Sequence, residues 1–323
     1  MPHILRTLVW SCAAALAPVA IAAPPYPVKA VKVVVPWPAG QATDIVARVV
    51  SERLTASLGQ PFVIDNKAGA GGALGSDFVA HAPADGYTLL AGSSGSITVN
   101  PLIRKTSYAS SDFTTAGIVA TVPYVLVSRQ DFPAKDAEAL VALIKSNPTK
   151  YTYASSGSGS MQHLVMELFL NSINGKTVHV PYKGSAPALT DVMGGRVDFV
   201  FDTVTAVAAH VKAGKLRAYG LSTRNSSAAL PDVRPLAQTA GIADFDLYAW
   251  IGFMAPSATP EAELNLINKA IQEAIAMPAV REQYRTLGVE PVDRLSRAEA
   301  KRLIADEHAR LGKVIKESNI SAN

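Results

Sequence analysis

Val31-Lys-Val-Val-Val-Pro-Trp-Pro-Ala-Gly-Gln-Ala-Thr-Asp44 decides the fold class. Its first five residues are β-branched apart from Lys32, the near-continuous apolar run of a strand buried on both faces. A loop of prolines and small residues follows. Thr43 is then an N-cap, and Ile45, Val46, Val49, Val50, Leu54 and Leu58 recur at helical spacing. Asp44 and Arg48, four apart, fall on the solvated side of that helix as a minor ion pair. Gly59 and Pro61 stop it. Working outward, Phe62–Asp65 reads as a second strand, followed by a glycine loop and a helix from Leu74 to Ala82. Asp85-Gly86 then turns into a strand over Tyr87–Ala91. Strand, helix, strand, helix, strand predicts a parallel sheet with right-handed crossovers.

The alternation restarts after a strand over Val119–Ser128. Helices are expected over Asp136–Ser146, Ser160–Ile173, Ser185–Met193 and Thr203–Ala213. Strands are expected over Tyr151–Ser155, Thr177–Pro181, Arg196–Phe201 and Leu216–Ser222. Segment 225–245, with Pro231 and Pro235, is an irregular return path, and Tyr248–Ala255 is a strand that re-enters the first half. Thr259-Pro260-Glu261 opens a helix with a cap, a proline and an acid. Ser296 and Glu299 form a capping box for the last helix, to about Lys316. The reading is α/β in two lobes, each a mostly parallel sheet flanked by helices. Residues 24–128 plus 246–323 form lobe one, 129–245 lobe two, with hinges near 128 and 246.

Four junctions share one design: Pro36–Asp44, Asn66–Ala73, Ser155–Ser160 and Tyr182–Pro187 each place small residues between a strand and a helix start. A helix start leaves its first N–H groups unpaired and carries roughly half an elementary positive charge. Gly, Ala and Ser let an anion approach those groups. The loops lie at carboxyl ends of parallel strands, where open α/β sheets bind ligands, two in each half. The anion is therefore expected in a cleft between the halves. Neither glycine-loop pair carries an Arg, so recognition is expected from neutral amides and hydroxyls, each worth about 1.5–3 kcal/mol toward a charged oxygen. After association costs, that is a micromolar-class affinity near about −8 kcal/mol.

Other chemistries lack their motifs. Gly69-x-Gly71 and Gly157-x-Gly159 put Leu74 and Gln162 where a dinucleotide fingerprint needs its third glycine. There is no phosphate-binding G-x-x-x-x-G-K-[ST] loop and no G-x-S-x-G elbow. The histidines at 81, 163, 179, 210 and 308 form no H-x-H or H-x-x-x-H pair, so no metal site or cofactor is expected, and His163 reads as a structural or rim residue.

Residues 1–23 read as an export signal: Arg6, an apolar stretch from Leu8 to Ala17, and an A-x-A site at Ala20–Ala22, with cleavage near Ala22/Ala23. That stretch is shorter than the roughly 20 residues a membrane span needs. The sole cysteine, Cys12, falls within it, so the mature chain of about 300 residues has no disulfide and relies on its 49% hydrophobic residues for a core. The net charge of +4 falls to about +3 on cleavage, and Lys and Arg are dispersed. No nucleic-acid partner and no direct membrane insertion are expected, and nothing demands more than a monomer.

Taken together, P-W-P-A-G-x-A-T-D-x-x-A-R from Pro36, N-K-A-G-A-G-G-A-L-G-S-D-F-V-A from Asn66, S-S-G-S-G-S-x-x-H-L-x-x-E-L-F from Ser155 and V-P-Y-K-G-S-A-P-A-L-T-D-V-M-G-G-R-V-D from Val180 resemble the Bug family. These are the TctC-like solute-binding receptors of tripartite tricarboxylate transporters. The resemblance spans essentially the whole mature chain. It implies a two-lobed, type II-like periplasmic-binding-protein fold, a hinge closing on a carboxylated small molecule, a periplasmic location, membrane permease subunits as partners and no catalysis. Carried over by position, ligand contacts are Trp37, Gln41, Thr43, Gly71, Gly72 and Ala73 from lobe one. Lobe two would supply Ser156, Gly157, Gly159, Ser160, Gly184, Ser185 and Asp202. Gln41 departs from the family, which usually has glycine there. A dicarboxylate, an acidic amino acid or an aromatic carboxylate all suit the reading. Two alternatives are an exported hydrolase using Ser93, Ser156 or Ser160, and a receptor that reports to a signalling kinase.

Overall fold

In β1 (Val31–Val35), Val31, Val33 and Val35 pack into one apolar cluster and Val34 into another on the opposite face, leaving Lys32 exposed. The double-sided burial read from this stretch is present. The computed structural model describes residues 26–239, 242, 245–317, 320 and 321, so the export signal lies outside the described residues. After β1 the chain runs α1 (Ala42–Leu58), β2 (Phe62–Asn66), α2 (Ala73–Ala80), β3 (Thr88–Ser93), α3 (Asn100–Ile103) and β4 (Phe113–Arg129). The second half runs α4 (Ala137–Ser146), β5 (Thr152–Ser155), α5 (Met161–Ser172), β6 (Val178–Pro181), α6 (Ser185–Met193), β7 (Phe199–Thr203), α7 (Val204–Lys212) and β8 (Leu216–Leu221). It closes with β9 (Tyr248–Pro256), α8 (Glu261–Ala276), α9 (Pro278–Leu287), β10 (Glu290–Pro291) and α10 (Arg297–Glu317).

Two sheets share one strand. The first has the order β2-β1-β3-β9-β4, with β1, β2 and β3 parallel and β9 antiparallel between β3 and β4. The second has the order β4-β7-β5-β6, parallel through β7, β5 and β6, with β8 also on β4. β4 is 17 residues long, where the sequence indicated a strand only from Val119. Irregular pairing at Thr115–Gly117 and Ile118–Ala120 breaks the strand's alternation, which hid its first six residues. Along β4 the last partner in β9 is Tyr248, opposite Pro123, and the first in β7 is Thr203, opposite Tyr124. Pro123 has no N–H to give a ladder, and it sits where the strand changes partners.

Each sheet is covered on both faces. Leu54 of α1 and Ile267 of α8 share a cluster with Phe253 of β9, while Ile304 of α10 packs with Trp250 and Ile118 behind. In the second sheet Leu164 and Phe169 of α5 cover Tyr153, Phe199 and Phe201, and Leu189 and Val204 cover Val125 and Val200. The Ser296–Glu299 capping box forms as expected. α9 lacked a sequence signal of its own, and only Val280 and Tyr284 of it are buried.

Candidate ligand-binding cleft

α1 begins at Ala42 behind Gln41, whose extended backbone (φ −76°, ψ 161°) makes it the N-cap, without a capping side-chain bond. Thr43 is therefore the second helical residue rather than the expected cap. The first-turn amides of Ala42 and Thr43 are left without an intramolecular partner. Asp44 is only 2% exposed, not on the solvated face. Its carboxylate takes Arg48 Nε and Nη2 (3.0 and 2.9 Å), Asn66 Nδ2 (2.8 Å) and the Gly40 amide (2.9 Å). Burial opposes its charge, yet these donors hold the acid below its ordinary value. The cluster fixes the loop from Trp37 to Gly40 against β2.

Across the cleft, Ser160 caps α5 by accepting from the His163 amide. Gln162 of that first turn accepts from the Ser156 amide and donates to Ser185 Oγ (2.9 Å) and Asp202 Oδ1 (2.5 Å). Ser185, first residue of α6, donates to the same Asp202 oxygen at 3.0 Å and accepts from Gln41 Nε2, 144 positions away, at 3.0 Å. Asp202 is fully buried, and its other oxygen, Oδ2, has no partner. Burial pushes its acid up to about 7, against the Thr203 amide, Ser185 and Gln162, which all favour the anion.

These groups surround a space of about 450 Å³ that is continuous with open solvent. Its polar wall is Gln41, Thr43, Ser93, Ser156, Gln162, Ser185 and Thr203. Trp37, Ala42, Gly95, Val122, Met161, Ala249 and Ile251, with the ring of Tyr124, make the largely apolar remainder. The Trp37 indole N–H donates to Ser93 Oγ at 3.2 Å, which fixes the ring as a wall.

The glycine loop does something other than present free amides. The amides of Gly72 and Ala73 are taken by the loop's own Gly69 and Ala70 carbonyls. Gly71 instead meets the serine loop: a Cβ there would lie 2.5 Å from the Ser158 carbonyl oxygen. Asn100 Nδ2 holds the Ala70 and Gly71 carbonyls, at 3.1 and 2.9 Å. Arg104 donates to the Ala70 carbonyl (3.2 Å) and to that of Ser158 (3.0 Å), so one guanidinium spans both loops. It has no ion pair with an acid among the described residues.

Of the residues singled out from sequence, Trp37, Gln41, Thr43, Ser156 and Ser185 line the cavity. Gly71, Gly72, Gly157 and Gly184 line an outer pocket of about 1110 Å³ that shares Trp37 and Ser156 with it. Asp202 lies behind Ser185, Ser160 caps α5, and Ala73 and Gly159 line neither space. Gln162, Tyr124 and Arg104 were missed; Gln162 falls at an unspecified position of the serine motif, Tyr124 and Arg104 lie outside all four motifs, and only tertiary neighbours mark them. His163 stacks on His179 at 4.2 Å behind the serine loop. Among the described residues none of the wall serines Ser93, Ser156 and Ser185 hydrogen-bonds a histidine ring; the serine hydroxyl that does is Ser155 Oγ, with His179 Nε2 at 2.7 Å. Among the described residues no group of three His, Cys, Asp or Glu could hold a metal, and no helix is long and apolar enough to cross a membrane.

The family model described as tripartite tricarboxylate transporter family receptor, TctC, matches residues 46–320. The chain belongs to this family. BugT of Bordetella pertussis is 35% identical over 305 residues, covering 92% of each chain. Among solved structures, periplasmic binding protein BugD aligns with a TM-score of 0.86 and 30% identity, over 92% of this chain and 99% of BugD. An R. palustris protein with adipate aligns equally well, at 32% identity over the same shares. Two lobes around a cleft are thus the TctC architecture, and the resemblance read from the four loop motifs is established.

Proposed function

We propose that this TctC-family protein is an exported, non-enzymatic receptor that captures a small carboxylate between its lobes and delivers it to the membrane subunits of a tripartite tricarboxylate-type transporter. One observation carries the reading: the unpaired first-turn amides of α1 and the hydroxyls of Thr43 and Ser185 converge on one space, bridged by the Gln41–Ser185 bond. The adipate-bound relative supports a carboxylated ligand. The periplasmic relative BugD and the segment 1–23 support export to the periplasm with cleavage near Ala22/Ala23.

In this reading Trp37, Gln41, Thr43, Ser156 and Ser185 touch the ligand. Gly71, Gly72, Gly157 and Gly184 let the loops close over it. Asp202 positions Ser185, while Ala73, Gly159 and Ser160 shape the loops. Lobe one comprises 24–128 with 246–323 and lobe two 129–245. The change of partner along β4 supports a hinge in that stretch.

A melting-temperature screen of the mature protein against carboxylic acids tests the proposal. A cognate acid at a hundredfold excess over Kd stabilises by about 2.7 kcal/mol. Turnover of a bound acid, or stabilisation that survives in Ser185→Ala combined with Gln41→Ala, overturns it.

A further inference from the structure

We infer that the cavity selects an anion with a single charged head and an apolar body, a monocarboxylate, over a diacid of the same length. The inference rests on the carboxylate reading above and narrows it. The cavity is polarised. Most of its polar groups sit at loops and helix starts, at Gln41, Thr43, Ser156, Gln162 and Ser185, while Ser93 and Thr203 end the strands beside the floor. Its floor comes from the two strands that cross the middle of the molecule: Val122 and Tyr124 of β4, Ala249 and Ile251 of β9. Val122 pairs with Ala249, and Ile251 with Ala120, so the backbone there belongs to the sheet ladder.

Among the described residues no Lys, Arg or His lines the cavity. The cations nearby, Arg104 and Lys183, line the outer pocket, and Arg104 is held by two carbonyls. Behind the wall stands an acid, Asp202, bonded to Gln162, Ser185 and Thr203. A second carboxylate on the floor would lose its water for a few hydroxyls at most: that of Tyr124, which has no partner among the described residues, and those of Ser93 and Thr203, whose oxygens already accept from Trp37 and the Ala206 amide. That desolvation opposes a dianion, whereas a hydrocarbon chain or ring gains from the same surface.

Two length-matched pairs test this by calorimetry on the mature protein: hexanoate against adipate, and benzoate against terephthalate. The monoacid of at least one pair is expected to bind roughly tenfold or more tightly than its diacid, the order set by burying an unpaired charged group. Hexanamide and benzamide should not bind. A diacid that binds as well as its monoacid overturns the inference and leaves carboxylate capture standing. Amides that bind as well as the acids, or silence from all four acids, overturn both. Val122→Thr adds a hydroxyl to the floor at nearly constant shape. It is expected to narrow the gap within a pair, with the unliganded melting temperature as the folding control. An unchanged gap overturns placement of the body on this floor.

Discussion

Gln41 Nε2 donates to Ser185 Oγ across the cleft at 3.0 Å, joining the start of α1 to the start of α6. Ser185 passes the link on to Asp202, and Gln162 touches both. One hydrogen-bonded chain therefore runs from the loop after β1 to the last turn of β7.

Gln41→Ala removes the bridge and leaves the backbone cap in place. A neutral hydrogen bond contributes about 0.5–1.5 kcal/mol. The cognate acid should bind up to roughly tenfold more weakly, with the unliganded melting point nearly unchanged. Titration calorimetry beside a thermal scan separates the two effects. An unliganded protein destabilised as much as the complex would make Gln41 a packing residue only.

Gly71→Ala should act on closure. Gly71 has φ +65°, and its Cβ would lie 2.5 Å from the Ser158 carbonyl oxygen. Left-handed backbone costs a non-glycine residue about 1–2 kcal/mol, and the clash adds to this only when the lobes meet. The ligand-induced rise in melting temperature is expected to shrink more than unliganded stability does. Equal losses would mean that the contact is not specific to the closed state.

Arg104→Met keeps the aliphatic stem and removes the donors to Ala70 and Ser158. One of these bonds crosses the cleft, so the loss should appear in ligand release. Stopped-flow dissociation is expected to quicken by roughly tenfold, as for a charge-assisted bond of about 1.5–3 kcal/mol partly replaced by water. An unchanged off-rate would confine Arg104 to local loop support.

Stability against pH should show two opposed contributions. Burial lowers His163 to about 3, helped by the neighbouring His179 and Arg104, and lowers His179 to about 4. Both are neutral in the fold, so the unfolded chain binds more protons below its ordinary histidine value of about 6.5. Their effect is lost stability as pH falls from about 6.5 toward 4. Asp202 runs the other way: its acid is raised to about 7 from 3.8, so stability is lost as pH rises through that window. Asp202→Asn should make the rise in stability between pH 4 and 7 steeper, whereas His179→Gln should flatten it. Denaturant midpoints across the range check both signs.

Ser222→Ala tests the crossing between the sheets. Ser222 Oγ accepts from the Tyr124 amide at 3.0 Å and donates to the Leu247 carbonyl at 2.5 Å. Losing both should cost about 1–3 kcal/mol, read as a lower denaturant midpoint. A change below about 0.5 kcal/mol would show that water replaces the hydroxyl.

Much of the architecture was legible because it is local. The run at β1 announced double-sided burial, Gly59 the end of α1, and Ser160 and Ser296 their helices. Where readings failed, a distant partner had intervened. Asp44 looked solvated because Asn66, 22 positions on, could not be seen beside it. The glycine loop looked like an anion cradle because composition does not show that Gly69 and Ala70 use its amides. β4 looked shorter than it is because its bulges break the alternation that marks a strand.

The sequence by itself determined the order of strands and helices, the four small-residue junctions and, through them, the family. Those depend on residues within a few positions of one another, where backbone sterics and side-chain periodicity act. Only the tertiary structure decided which helix-start amides stay unpaired, which loop merely closes, that Arg104, Gln162 and Tyr124 belong to the cleft, and that Asp202 stands behind Ser185. A hydrogen bond such as Gln41–Ser185 spans 144 positions, and its partners become neighbours only when two sheets share a strand and face their loops toward one space.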